Sequence, residues 1–163
     1  MNFCTRALFT SIAMCATFGV LAGERLAAVY FPQRHFALSG DWADPRFSGD
    51  LNRDSRVVAE MRDVQLILPI PPRFTSPPQQ VSIFLALPAQ VQGLRGGGGL
   101  ELTWTTRGVF KAGTVRPGER AVLFQGLADV PELSDFMNFT FTIDAREMLQ
   151  ALRVEPIYEI ELR

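Results

Sequence analysis

"LELTWTT", residues 100–106, alternates without a break: Leu100, Leu102 and Trp104 fall on one side, Glu101, Thr103 and Thr105 on the other. Successive side chains of a strand point to opposite faces, so the stretch reads as a strand with one buried and one solvated face. "NFTFTID", residues 138–144, repeats the pattern, with Phe139, Phe141 and Ile143 toward the core. Trp104 shares its face with two leucines and is therefore expected in the core, not on a binding surface.

Outward from these stretches the strand signals continue. "VQLILPI", residues 64–70, is a continuous apolar run, as expected of a strand buried on both faces. "VSIFLALP", residues 81–88, is a second. "GVFKAGTV" and "RAVLF" are separated by "RPGE", a turn with Pro117 and Gly118 in suitable order. "VEPIYEIEL", residues 154–162, closes the chain with Tyr158, Ile160 and Leu162 facing one way. Gly96 to Gly99 read as a hairpin loop, since a strand follows them where a phosphate cradle needs a helix N-terminus. "AREMLQAL", residues 145–152, is expected as a short helix, and "PPRFTSPPQQ", residues 71–80, as an ordered irregular loop. About seven or eight short strands with frequent turn signals predict an all-β chain, a single β-sandwich of jelly-roll or Ig-like type. Residues 152–162 resemble the closing strand of galactose-binding-like jelly rolls, over about a dozen residues and without a specific motif.

The first residues concern destination. Residues 7–23 carry no charge; Arg6 precedes them and Glu24 and Arg25 end the run. A basic start, an apolar stretch and small residues at its end are the layout of an export signal. Val20-Leu21-Ala22 supplies the cleavage pattern, with Gly23 starting the mature chain; the competing reading is an uncleaved N-terminal apolar helix anchored in the inner membrane. Either way the rest of the chain is expected outside the cytoplasm, periplasmic or extracellular. The expected organisation is a signal peptide or membrane anchor at 1–23, an irregular spacer at 24–56 rich in Pro, Asp, Ser and Gly, and the sandwich at 57–163. Both cysteines, Cys4 and Cys15, lie in the leader, which removes thiolate, zinc-thiolate and iron–sulfur chemistry from the exported part.

Composition narrows the function. The 163 residues are 47% hydrophobic and 20% charged, with a net charge of −1. Fifteen of the sixteen basic residues are arginines, scattered along the chain, whereas a nucleic-acid binder gathers them into a stripe. His35 is the single histidine, and no Gly-x-Ser-x-Gly elbow accompanies it, so a serine triad is not expected. Glu155, Glu159 and Glu161 read as a solvated strand side, which ranks an acid-pair glycoside hydrolase third. Asp50, Asn52 and Asp54 have the spacing of the first calcium-loop ligands and resemble the first half of a dockerin-type segment. The later positions depart from it: Ser55 stands where Gly is needed and Met61 where a bidentate Glu is needed. The stretch is therefore read as an entry turn, with no metal or cofactor expected. Asn138-Phe139-Thr140 fits a glycosylation sequon inside an expected strand and is read as coincidental.

Two functional expectations follow. The first is a non-enzymatic cell-envelope domain that docks on a protein partner, its sheet edges open to strand addition. The second is a small carbohydrate-binding module with Trp42 and Tyr158 as its exposed aromatics.

Overall fold

The two alternating stretches are neighbours in space: Trp104 pairs with Phe139, Leu102 with Phe141 and Leu100 with Ile143, in antiparallel register. The structure, a computed structural model, describes residues 23–31, 40–43, 50–52 and 55–163. Within these, the chain forms β1 (Glu24–Leu26), β2 (Val29–Phe31), β3 (Gly40–Trp42) and β4 (Arg56–Pro69). A single helical turn, α1 (Pro72–Thr75), precedes β5 (Gln79–Ala86), β6 (Gln92–Leu94), β7 (Leu100–Thr106) and β8 (Gly113–Val115). Then follow β9 (Arg120–Ala128), β10 (Glu132–Asp144), β11 (Met148–Arg153) and β12 (Ile157–Leu162).

The first sheet has the order β1-β12-β5-β9 and the second β2-β4-β10-β7-β8, with β3 also on β4. A two-stranded ribbon joins β11 and β6. Both large sheets contribute to one apolar core: Ile83, Leu85, Leu123 and Ile160 from the first, Leu66, Leu102, Trp104 and Phe139 from the second. The result is a mostly-β architecture of packed antiparallel sheets, consistent with a sandwich.

Residues 107–112 connect the two packed sheets. Asp135, buried, accepts hydrogen bonds at Oδ2 from the N–H groups of Gly108 (3.0 Å) and Phe110 (2.9 Å). Trp104 Nε1 donates to the Lys111 carbonyl at 2.8 Å, and the Lys111 N–H donates to the Leu123 carbonyl of β9 at 2.7 Å. A buried carboxylate that satisfies otherwise orphaned backbone donors fixes the loop between the sheets.

Several sequence expectations change. The 24–56 stretch, expected as irregular, supplies three strands, β1 on β12 and β2 and β3 on β4. Each is three residues long, too short to show a period. Residues 64–70 are not buried on both faces: Val64, Leu66 and Leu68 are buried while Gln65 and Ile67 are half-exposed on the other side. Residues 145–152 are not a helix. Asp144 accepts the Arg146 N–H and caps one tight 3-10 turn, after which β11 pairs with β6. Four of the first five β11 positions that a helix would have to bury on one side are solvent-exposed, so backbone pairing replaces helix packing. The glycine run is not a hairpin loop either, because β6 pairs with β11 and β7 with β10 and β8. It is a 3-10 turn, Gly97–Gly99, leading from the ribbon into the second sheet. The proline-rich loop contains the single turn α1. The expected N-terminal apolar helix lies outside the described residues; among these, no helix is long and apolar enough to cross a membrane.

Candidate interaction surfaces

Tyr158 does not reach the surface. It is buried on β12, as is Ile160 two residues on, and its hydroxyl lies 2.9 Å from that of Tyr30. The two rings are tilted with centroids 6.3 Å apart, joining β12 of the first sheet to β2 of the second. Burial pushes the Tyr30 phenol up to about 12, against a smaller downward pull from the Tyr158 hydrogen bond. Burial, with Tyr30 beside it, holds Tyr158 well above 10.0. This pair is a structural clasp, and the carbohydrate reading loses one of its two aromatics.

Trp42 belongs to a strand, β3, opposite Val57 of β4, and is 37% exposed. It lines neither of the two depressions described below. The Asp50 carboxylate accepts the Asn52 N–H at 2.9 Å, the bond of an Asx turn, which is what an entry turn requires. Asp54 and His35 lie outside the described residues, and among these no group of three or more His, Cys, Asp or Glu side chains could hold a metal. Glu159 and Glu161 are both bridged by Arg120, at 3.8 Å for Glu159, with the guanidinium 4.3 Å over the Phe84 ring. Glu155 pairs with Arg153 at 2.8 Å. These acids form surface ion pairs, an arrangement that organises the sheet exterior.

Three surface features emerge instead. The first is an apolar strip on the outer face of the second sheet. Directly opposite residues in neighbouring strands share a face. Phe31, Gln65 and Phe136 form one row and Val29, Ile67 and Ser134 the next. Phe31 is 63% exposed and Phe136 49%. The two polar members satisfy each other, Gln65 Nε2 donating to Ser134 Oγ at 3.1 Å, which leaves the strip apolar in character. Sequence reasoning passed over Phe136, although its signal was present. It is even-numbered, while Met137, Phe139, Phe141 and Ile143 bury the odd positions.

The second feature is a bulge on β4, where the register against β10 shifts between Met137 and Phe139. Asp63 takes a left-handed backbone, φ 55°, and its N–H donates to Asn138 Oδ1 at 2.8 Å. The sequon asparagine thus supplies the acceptor that the interrupted ladder lacks. A depression of about 350 Å³ lies over the bulge, walled by Glu60, Arg62, Asp63 and Arg107, with Asp63 and Arg107 paired at 2.6 Å. The third is a larger cleft of about 840 Å³ between the β6–β11 ribbon and the glycine turn.

No protein-family model, curated protein or solved structure matches the chain.

Proposed function

We propose that the chain is an exported, non-enzymatic cell-envelope β-sandwich, of jelly-roll or Ig-like type, that docks on a protein partner. The observation that carries this reading is the strip of Val29, Phe31, Ile67 and Phe136 on the outside of a sheet whose other face is already the core. Clustered exposed aromatic and aliphatic groups have the character of an interaction surface, with the two phenylalanines as anchors. The strip ends at β2, the terminal strand of its sheet, so an extended apolar segment of an envelope protein, added beside β2, would lengthen both the sheet and the strip. Export rests on the uncharged run at residues 7–23. With β1 starting at Glu24, a cleaved chain would begin with an ordered strand, and an anchored one would hold the sandwich close to the bilayer.

Photo-crosslinking in intact cells tests the reading. A photoreactive phenylalanine at position 31 or 136 is expected to capture the same membrane-associated or periplasmic protein, and one at Thr114 on β8 is not. Equal capture from all three positions, or none from 31 and 136, would refute the docking surface. Fractionation of the same cells tests export, since recovery in the cytoplasm would refute that half of the reading.

A further inference from the structure

The cleft beside the ribbon has walls of an unusual chemistry. Gln90, Gln92 and Gln150 contribute three carboxamides, Arg95 one guanidinium, Leu149 an exposed aliphatic group and Gly96 bare backbone. Among the described residues the lining includes no carboxylate, and Arg95 forms no ion pair; its backbone N–H donates to the Glu147 carbonyl at 2.8 Å. Most other described arginines are matched to acids, as Arg62, Arg73, Arg107, Arg116, Arg120, Arg146 and Arg153 show.

The glycines add an independent observation. Gly99 is required by packing, since a Cβ there would stand 2.6 Å from Glu147 Cβ. Gly93, with φ +98°, lies under the Ala151 carbonyl and is equally fixed. Gly96 is different. A Cβ on it would meet nothing within 4 Å, and its φ of −154° is extended backbone open to any residue. The same holds at Gly98, but of the two only Gly96 lines the cleft, where its bare backbone is open to a ligand.

We propose that this cleft binds a carboxylated saccharide, a uronic-acid polymer in chemical class. The guanidinium fork of Arg95 matches a carboxylate bidentately, and no lining acid opposes the anion. A carboxamide donates and accepts at once, as a sugar hydroxyl does, so three of them suit a chain of vicinal hydroxyls better than a run of peptide groups. Leu149 offers the aliphatic contact for a ring's C–H face, and the volume falls in the range of ligand sites. The inference does not depend on the docking strip, which lies on the outer face of the second sheet.

The test is calorimetric binding of polygalacturonate oligomers to the full chain, with dextran as the neutral comparison. Binding of the uronate and not of dextran is expected. Arg95→Gln and Gly96→Ala should each weaken it about tenfold or more, the loss of a charge-assisted contact or of backbone approach. Arg56→Gln, an exposed arginine away from the cleft, and Gly98→Ala, where a Cβ is also unopposed but which lies outside the lining, should leave affinity unchanged. Unaltered melting of all four variants separates binding loss from unfolding. No uronate binding, equal binding of dextran, equal loss in Arg56→Gln, or displacement by a carboxylate-terminated peptide at lower concentration than by the uronate would each overturn the proposal.

Discussion

Asp135 and Gly108 provide a double-mutant cycle whose outcome follows from their contact. Replacing Asp135 by Ala removes the acceptor of the Gly108 and Phe110 N–H groups, of which the Phe110 bond is buried. An orphaned buried donor costs about 1–3 kcal/mol, and the partly solvated Gly108 donor less, so the substitution should destabilise the chain by about 2–4 kcal/mol. Against a total stability of roughly 5–15 kcal/mol that is a large fraction. Asp135→Asn is milder because one oxygen, Oδ2, accepts both non-local bonds and the amide oxygen can take its place. Its NH₂ then faces the Phe136 N–H, the bond now made by Oδ1 at 2.7 Å, for an expected cost of about 1–2 kcal/mol. Gly108→Ala, by contrast, places a Cβ 2.9 Å from Asp135 Oδ1 and 3.1 Å from the carboxyl carbon. Overpacking of this kind costs about 1–3 kcal/mol. In the Asp135→Ala background the obstructing atoms are gone, so the same alanine should become neutral or slightly stabilising. The two losses must then fall short of additivity by about 1–3 kcal/mol. Urea unfolding of the four proteins, followed by near-ultraviolet circular dichroism, measures the cycle. Additive losses would refute the assignment of Asp135 as the post on which residues 107–112 hang.

The Tyr30–Tyr158 clasp predicts alkaline unfolding: with the folded-state Tyr30 phenol raised to about 12 and that of Tyr158 held well above 10.0, stability is intact below pH 10.0 and falls as pH rises from there. The slope is about 1.4 kcal/mol per pH unit for each phenol. Both tyrosines of the chain belong to the pair, so phenolate absorbance reads it alone; ionisation near pH 10 with native circular dichroism would refute the burial. At the acid end, the Arg146 side chain, followed by its backbone N–H and Ser55, lowers the Asp144 pKa against a smaller desolvation effect. The stability it adds is present at neutral pH and lost as pH falls below the ordinary carboxylate range; Asp144→Asn should flatten that acid limb in pH-dependent melts. Gly113→Ala would put a Cβ 2.7 Å from the Trp104 ring, and a loss of about 1–3 kcal/mol with altered tryptophan fluorescence is expected in urea titrations.

What could be read from the sequence was whatever one buried face imposes over several residues. Leu100, Leu102 and Trp104 and their partners Phe139, Phe141 and Ile143 announced both their strands and their orientation. Where pairing, not burial, holds a segment, no such imprint exists. β1, β2 and β3 are three-residue edges, and β11 pairs with β6 while keeping most of its side chains in water. The alternation that placed Tyr158 beside Ile160 was the better guide to it than its hydroxyl. Phe31 and Phe136 face outward by the same parity argument, but they meet only through the intervening Gln65. The cleft is still less visible from the sequence, since residues 89–97 and 149–150 come together through the β6–β11 pairing and the Arg95–Glu147 backbone bond.

The hydroxyl contact between Tyr30 and Tyr158 joins groups 128 residues apart, and β1 finds its sheet partner only in the last strand of the chain. The N-terminal segment is stitched to one sheet by β1 and to the other by β2; the second sheet has all its strands once β10 is made, but the first waits for β12. Pairings this remote are slow to form because their loop-closure entropy comes first. On the proposal that the chain is exported, that delay would be an advantage, since the first sheet cannot reach its full strand order before β12 has crossed the membrane.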